Sequence, residues 1–225
     1  ADLFSSQIAL GEAEHQANLV RDAEIKSLQA QVNTHFFFNA INTIAAMIRI
    51  NSEQARELLI KLSQYFRSNL VGARATTITL DQELAQVEAY LSLEQARFPG
   101  KYQVKFDVTA NRSLLLPPFA IQILVENAIR YAFKDRRQDN QVTVTAHADQ
   151  QWLSIAVADN GDGIDPNTLE IYGDQEVESQ HGSGTAVYNL NQRLVGLYND
   201  QSRLQIQSSS DGTIVKMKIP VQMGG

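Results

Sequence analysis

Residues 2–50 contain no proline and a single glycine, Gly11. Within that stretch Leu28, Val32, Phe36, Ile41, Ile44 and Ile48 recur every three to five residues, the period of one helix face. The earlier positions Leu10, Ala13, Ala17, Val20, Ile25 and Leu28 come close to heptad spacing, broken once by an offset. The pattern predicts a long helix whose apolar stripe cannot be buried within itself. The following segment supplies a partner. Asn51-Ser52 interrupts the pattern, Ser52-Glu53 reads as a helix start, and Leu58, Leu59, Leu62, Tyr65, Phe66 and Leu70 mark a second helix ending near Gly72. A long helix, a tight break and a second helix form an antiparallel hairpin, and two such hairpins make a four-helix bundle. A homodimer through residues 1–71 is therefore expected.

The texture then changes. Thr79 or Asp81 caps a third helix over 82–97, which closes before Pro99-Gly100. Val104, Phe106 and Val108 alternate as a strand. A helix over about 119–133 follows Pro117-Pro118. Val142, Val144 and Ala146 alternate again, as do Leu153, Ile155 and Val157. A helix over 185–199 precedes a hairpin, 203–208 with 213–219, that turns at Asp211-Gly212. Strands with helices on one side predict an α+β fold, a helical hairpin followed by an α/β sandwich. The expected division is a helical region over 1–78, a connecting helix over 79–99 and a sandwich domain over 100–225.

Composition removes several classes of chemistry. There is no cysteine, so disulfides, thiolate metal sites and a cysteine nucleophile are excluded. The net charge is −6, which argues against a phosphate-binding nucleic-acid partner. No apolar run approaches the roughly 18–20 residues of a membrane span. The chain opens at Ala1 inside helical sequence, so it is expected to be part of something longer.

Four clusters can carry chemistry. Gln31, His35, Asn39 and Asn42 fall at steps of four, four and three, one polar stripe beside Val32, Phe36 and Phe37. A histidine presented there is a nucleophile near neutral pH, although a plain surface strip has the same spacing. Glu126-Asn127-Ala128-Ile129-Arg130 sits in an otherwise apolar helix. An asparagine in that setting needs a buried partner or a ligand, and its amide oxygen suits Mg²⁺. Arg130, Lys134, Arg136 and Arg137 can neutralise phosphates, or simply form a solvated basic helix end. Asp159-Asn160-Gly161-Asp162-Gly163 ends an apolar strand: an acid to accept from an exocyclic amine, with glycines that allow close approach, or an ordinary tight turn. Seven acids and no lysine or arginine lie between Asp159 and Glu178. Finally, Gly182-Ser183-Gly184 before a helix offers backbone N–H groups to phosphate, a weak signal alone.

The order of these clusters is that of the Bergerat ATP-binding fold of histidine kinases and gyrase. The chain also resembles the LytS-type sensor histidine kinases. Their phosphoacceptor motif Q-I-N-P-H-F-L-F-N stands here as Q-V-N-T-H-F-F-F-N at 31–39, and further matches run through Leu80–Phe98, Leu116–Phe119 and Val125–Ala128. The resemblance implies an ATP-dependent kinase that phosphorylates His35, with Asn39 orienting the ring. It implies that Asn127 holds Mg²⁺ and that Asp159 binds adenine with Gly161 and Gly163 behind it. Gly182 and Gly184 match the lid glycines, with Asn189 and Arg193 in the next helix and Arg130 near the phosphates. It further implies transfer to a response regulator's receiver domain, a homodimer, and an upstream sensor and membrane anchor, this part lying in the cytoplasm.

Three residues depart from the family pattern. Thr34 stands where proline is usual, predicting a straighter helix at His35. If bending presents His35 to ATP, Thr34→Pro changes the autophosphorylation rate; equal rates in the two chains remove that role. Ala186 replaces a lid glycine, and Tyr131 stands where histidine is common. ATPases of this fold place a water-activating glutamate four residues before the asparagine, where this chain has Ile123. Without that base, transfer to His35 is favoured over hydrolysis. The alternatives are an impaired signalling scaffold, with Ala186 as the lesion, and an ATPase of the same fold.

Overall fold

The computed structural model describes residues 34–133, 139–175 and 184–222. The upstream part of the expected long helix, with Gln31, lies outside the described residues. So does the question of whether that helix is straight at Thr34.

Helix α1 (Thr34–Ile48) buries Phe36, Ala40 and Ile44, one face at steps of four. Helix α2 (Ser52–Gly72) starts where Asn51 accepts a hydrogen bond from the Gln54 N–H at 3.1 Å, so the cap sits one residue before the expected start. It buries Ala55, Leu58, Leu62 and Tyr65. A short strand β1 (Ile78–Thr79) leads into α3 (Leu80–Arg97), which packs on both earlier helices. Thr79 forms a reciprocal cap with Gln82: the hydroxyl accepts from the Gln82 N–H at 3.2 Å and the Gln82 amide oxygen accepts from the Thr79 N–H at 3.0 Å. That decides between the two candidate caps and starts the helix at Leu80. Asp81 instead pairs with Arg112 at 3.0 Å. Where the three helices meet, the Phe36 ring centre lies 5.0 Å from that of Tyr65 and 5.1 Å from that of Tyr90.

The second half is a sheet covered on one face. Its strands are β2 (Gln103–Val108), β4 (Gln141–Ala148), β5 (Trp152–Asp159), β6 (Gln205–Ser209) and β7 (Gly212–Pro220), in spatial order β2-β4-β5-β7-β6. Only β2 with β4 is parallel. The two-residue strand β3 (Leu115–Leu116) pairs with β1. Alternate residues Val142, Val144, Ala146, Leu153, Ile155, Met217 and Ile219 are buried, the period-two pattern read from the sequence. Helix α4 (Ala120–Tyr131) covers β4 and β5, and α6 (Gly184–Tyr198) lies beside it against β7. A four-residue helix α5 (Pro166–Leu169) interrupts the segment after β5.

One buried carboxylate ties the halves together. Phe119, which precedes α4, has a left-handed backbone (φ 65°) and gives that helix no side-chain cap. Glu83 of α3 supplies it, accepting N–H groups from Phe119 at 2.9 Å, Ile121 at 2.9 Å and Gln122 at 3.1 Å. Burial pushes the Glu83 carboxyl up to about 7, against the pull of these three bonds and of Arg193. Arg193 of α6 also donates to the Pro118 carbonyl at 2.6 Å. Beside this cap, the Gln122 side chain donates to the Tyr65 hydroxyl at 2.9 Å.

Candidate functional site

The carboxyl end of β5, the inner face of α4 and the start of α6 enclose a pocket. Asn127, Tyr131, Asp159, Gly163, Tyr172 and Thr213 contribute to its lining. Asp159 is the last residue of β5, and its Oδ1 accepts from the Gly161 N–H at 2.9 Å and the Thr213 N–H at 3.2 Å. Burial raises its pKa while those two bonds oppose the rise. Both bonds fall on Oδ1, and neither occupies Oδ2.

The turn after Asp159 docks closely. A side chain on Gly161 would bring its Cβ to 2.2 Å from the Ala132 carbonyl oxygen, at the end of α4. Gly163 has φ +74°, and a Cβ there would meet the Ser209 carbonyl oxygen at 2.0 Å. The Asp162 N–H donates to the Ala132 carbonyl at 3.0 Å, and the Ile164 N–H to the Ser208 hydroxyl at 2.8 Å. Both glycines are thus required by close backbone approach, which also fixes Asp159 against α4.

Asn127 lies on the opposite wall. Its amide nitrogen is buried and without a hydrogen-bond partner among the described residues. A buried unpaired amide costs about 1–3 kcal/mol, so a polar partner on this wall would be favourable. Ile123, one turn earlier, is half-buried against the core. Glu126 does not line the pocket: Gln122 donates to it at 2.7 Å, and burial, with the Glu94 charge, raises its pKa against its hydrogen bonds and Arg130.

A second cleft of about 480 Å³ lies between the helices and the outer side of α4. His35 of α1 lines it, with Tyr90, Glu94 and Arg97 of α3 and Arg130 and Tyr131 of α4. Lys101 adds another cation. Tyr131 lines both cavities and so forms their common wall. His35 is exposed, and the Asn39 amide nitrogen lies 3.1 Å from its Nδ1 and 3.3 Å from its Nε2. One nitrogen cannot lie along both in-plane ring-nitrogen directions, so the two distances describe one contact and not two hydrogen bonds.

The expected site residues are therefore sorted rather than merged. Asn127, Asp159 and Gly163 share the first pocket, with Gly161 holding the turn behind it. His35 and Asn39 belong to the second cleft. Arg130, expected beside the nucleotide, lines the cleft with His35 instead. Asn189 is exposed on α6 and does not line the pocket. Gly184 opens α6, and Gly182 lies outside the described residues. Asn191 is a further polar residue of this region that no motif marks. It is buried, donates to the Gly173 carbonyl at 2.7 Å and accepts from the Leu204 N–H at 2.9 Å, pinning the segment after α5 to α6. Its signal was present: Asn191 continues the buried stripe of Val187, Leu190 and Leu194.

Two family models match the chain: "Histidine kinase" over residues 23–102, and "Histidine kinase-, DNA gyrase B-, and HSP90-like ATPase" over residues 118–223. The chain is 57% identical over 221 residues to the sensor protein LytS of Staphylococcus haemolyticus, covering 98% of this chain and 38% of that protein. The chain belongs to the LytS-type sensor histidine kinases. It is also 54% identical over 224 residues to the sensor histidine kinase/phosphatase LytS of Staphylococcus aureus, covering 99% of this chain and 38% of that protein. The chain thus spans under two-fifths of the length of these LytS relatives. Among solved structures, the histidine kinase domain of the Erythrobacter litoralis blue-light activated histidine kinase aligns with a TM-score of 0.50 at 21% identity. That alignment covers 89% of this chain and 94% of that domain, and it shows the shared fold.

Proposed function

We propose that the chain is the kinase core of a two-component sensor, which moves the γ-phosphoryl of ATP to His35 and then to an aspartate of a receiver domain. The observation that carries this reading is Tyr131, which forms a wall of the Asn127–Asp159 pocket on one side and of the His35 cleft on the other. A nucleotide in the first pocket has its acceptor in the adjoining cleft.

In this reading Asp159 Oδ2 accepts the adenine amine, Gly163 forms part of the wall beside the base, and Gly161 holds the turn that positions Asp159. The unpaired amide of Asn127 is chemically suited to hold Mg²⁺ through its oxygen after a half-turn, since amide oxygen and nitrogen exchange places. When bound, Mg²⁺ would neutralise phosphate charge. Arg97, Lys101 and Arg130 give the second cleft the positive field that a transferring phosphoryl needs. The free space beside Asp159 is about 50 Å³, small against the roughly 300 Å³ of ordinary ligand pockets, so base entry requires the lining to open.

Asp159→Asn tests the nucleotide half. The variant keeps an oxygen for Gly161 and Thr213 but presents an amide donor to the adenine amine. ATP affinity, followed by calorimetric titration, is expected to fall about 10- to 100-fold. Unchanged affinity removes Asp159 from the site. For the kinase half, acid-labile, base-stable label from γ-labelled ATP is the expected product; ATP hydrolysis without protein label would leave an ATPase instead.

The homodimer rests on α1 and α2. Phe38, Ile41, Ile48 and Leu59 are exposed on them, an apolar surface that a second hairpin would cover in a four-helix bundle. The division into a helical region over 1–78, a connecting helix over 79–99 and an ATP-binding domain over 100–225 belongs to the same proposal. So does a cytoplasmic position below a membrane-anchored sensor. No helix among the described residues is long and apolar enough to cross a membrane.

A further inference from the structure

We propose that Glu94 accepts the proton that His35 releases as it is phosphorylated. This rests on the kinase reading above and adds a residue to it. When an unprotonated ring nitrogen attacks the γ-phosphorus, the bond to the bridging oxygen breaks and its electron pair leaves with ADP. The ring is then a phosphorylated imidazolium with a proton on its other nitrogen. A neutral phosphohistidine forms only when a base takes that proton. The residue after the histidine is Phe36, whose side chain is buried among Tyr65 and Tyr90 and carries no base.

Elimination within the cleft leaves Glu94. Among the described residues that line it, Arg97, Lys101 and Arg130 are cations and accept no proton. Tyr90 is held well above its ordinary range by burial, so it carries no phenolate, and the other lining phenol, Tyr131, offers a hydroxyl, a far weaker base than a carboxylate. Glu94 is the sole carboxylate of the lining. Its side chain is 11% exposed, and it lines the same cleft as His35. The Arg97 guanidinium stands 3.7 Å from its Oε1. Burial raises the Glu94 pKa, against the charges of Arg97, Arg130 and Lys101, while Glu126 of α4 and Tyr102 adjoin it electrostatically. The shift is toward the pH at which a carboxylate both ionises and competes for an imidazolium proton. The Asn39 amide steadies the ring and cannot accept a proton from it.

The test compares wild type, Glu94→Gln and Glu94→Asp for initial rate of label on His35 across pH, with Mg-ATP affinity and melting temperature measured on each. Glu94→Gln keeps the shape and removes the base. It is expected to slow labelling about 100-fold or more with unchanged Mg-ATP affinity. The acid side of the wild-type profile is expected to require two deprotonations, of His35 and Glu94, and that of Glu94→Gln only one. Glu94→Asp is expected to restore part of the rate and the second deprotonation. A slowed Glu94→Gln whose acid side matches wild type would overturn the proton role and leave only positioning. An unslowed Glu94→Gln overturns the proposal outright. If Glu94→Gln does not fold, Glu94→Asp decides: an unmoved pH profile overturns the proposal, a displaced one supports it. Wild type without label would overturn the kinase reading itself, whereas labelled wild type with either adverse result overturns Glu94 alone.

Discussion

In a His35→Ala chain, incubation with γ-labelled ATP and Mg²⁺ is expected to leave no acid-labile label on the protein, a loss bounded only by detection. The imidazole is the sole side chain of its kind on the cleft. His147, the other described histidine, lies half-exposed on β4 with Thr109 and Asp107, away from both cavities. The variant is expected to fold as wild type does. His35 is exposed, and alanine favours helix, so stability should change by no more than about 0.5 kcal/mol. Nucleotide affinity should persist, because His35 does not line the Asp159 pocket. Label retained in this variant, or lost together with ATP binding, would remove His35 from the acceptor role.

The second large effect concerns stability. Glu83→Ala leaves the N–H groups of Phe119, Ile121 and Gln122 buried without their acceptor and leaves the Arg193 charge without a counter-charge. Losing one member of such a set costs about 3–5 kcal/mol. At this chain length that lowers the melting temperature by roughly 10 °C. Glu83→Gln is expected to cost less, since one oxygen still serves Ile121 and Gln122 while the new amide faces the Phe119 N–H. A melt within about 1 kcal/mol of wild type for Glu83→Ala would show the cap to be dispensable. The pH dependence has a definite sign. The folded pKa of about 7 lies above the unfolded value near 4.5, so the Glu83 contribution is fully present below about pH 4.5. It is lost as pH rises through about 7. The stability of wild type relative to Glu83→Gln is thus expected to decline across that window.

Much of the architecture was legible because two periods alternate along the chain. Steps of two gave Val142, Val144 and Ala146, which are buried; of the helix stripe read as Phe36, Ile41, Ile44 and Ile48, only Phe36 and Ile44 are buried, Ala40 completes that face, and Ile41 and Ile48 are exposed. Caps were less legible, because Ser52 and Asp81 are as good on composition as Asn51 and Thr79. Only the backbone shows which side chain reaches an N–H group. The site residues were found as types, but their partition was not. Asn127 and Arg130 are three residues apart on one helix, yet one faces the pocket and the other the histidine cleft. That split depends on which elements flank α4, and no local pattern carries it. Glu83 and Glu94 were invisible for the same reason. Each is an ordinary glutamate on a helix until the fold buries it against a distant segment.

The position of β7 has a consequence for how the molecule is made. It follows every other strand in the chain, yet it lies between β5 and β6, inside the sheet. The parallel pairing of β2 with β4 likewise waits for α4 to be laid across. The sheet therefore cannot close during synthesis until Pro220 has left the ribosome. Helix α1, which bears Phe38 and Ile41, emerges earlier, with that apolar surface uncovered. If the proposed homodimer forms, pairing between two nascent copies can precede closure of either sheet, and a truncation inside β7 should yield aggregate instead of a trimmed fold.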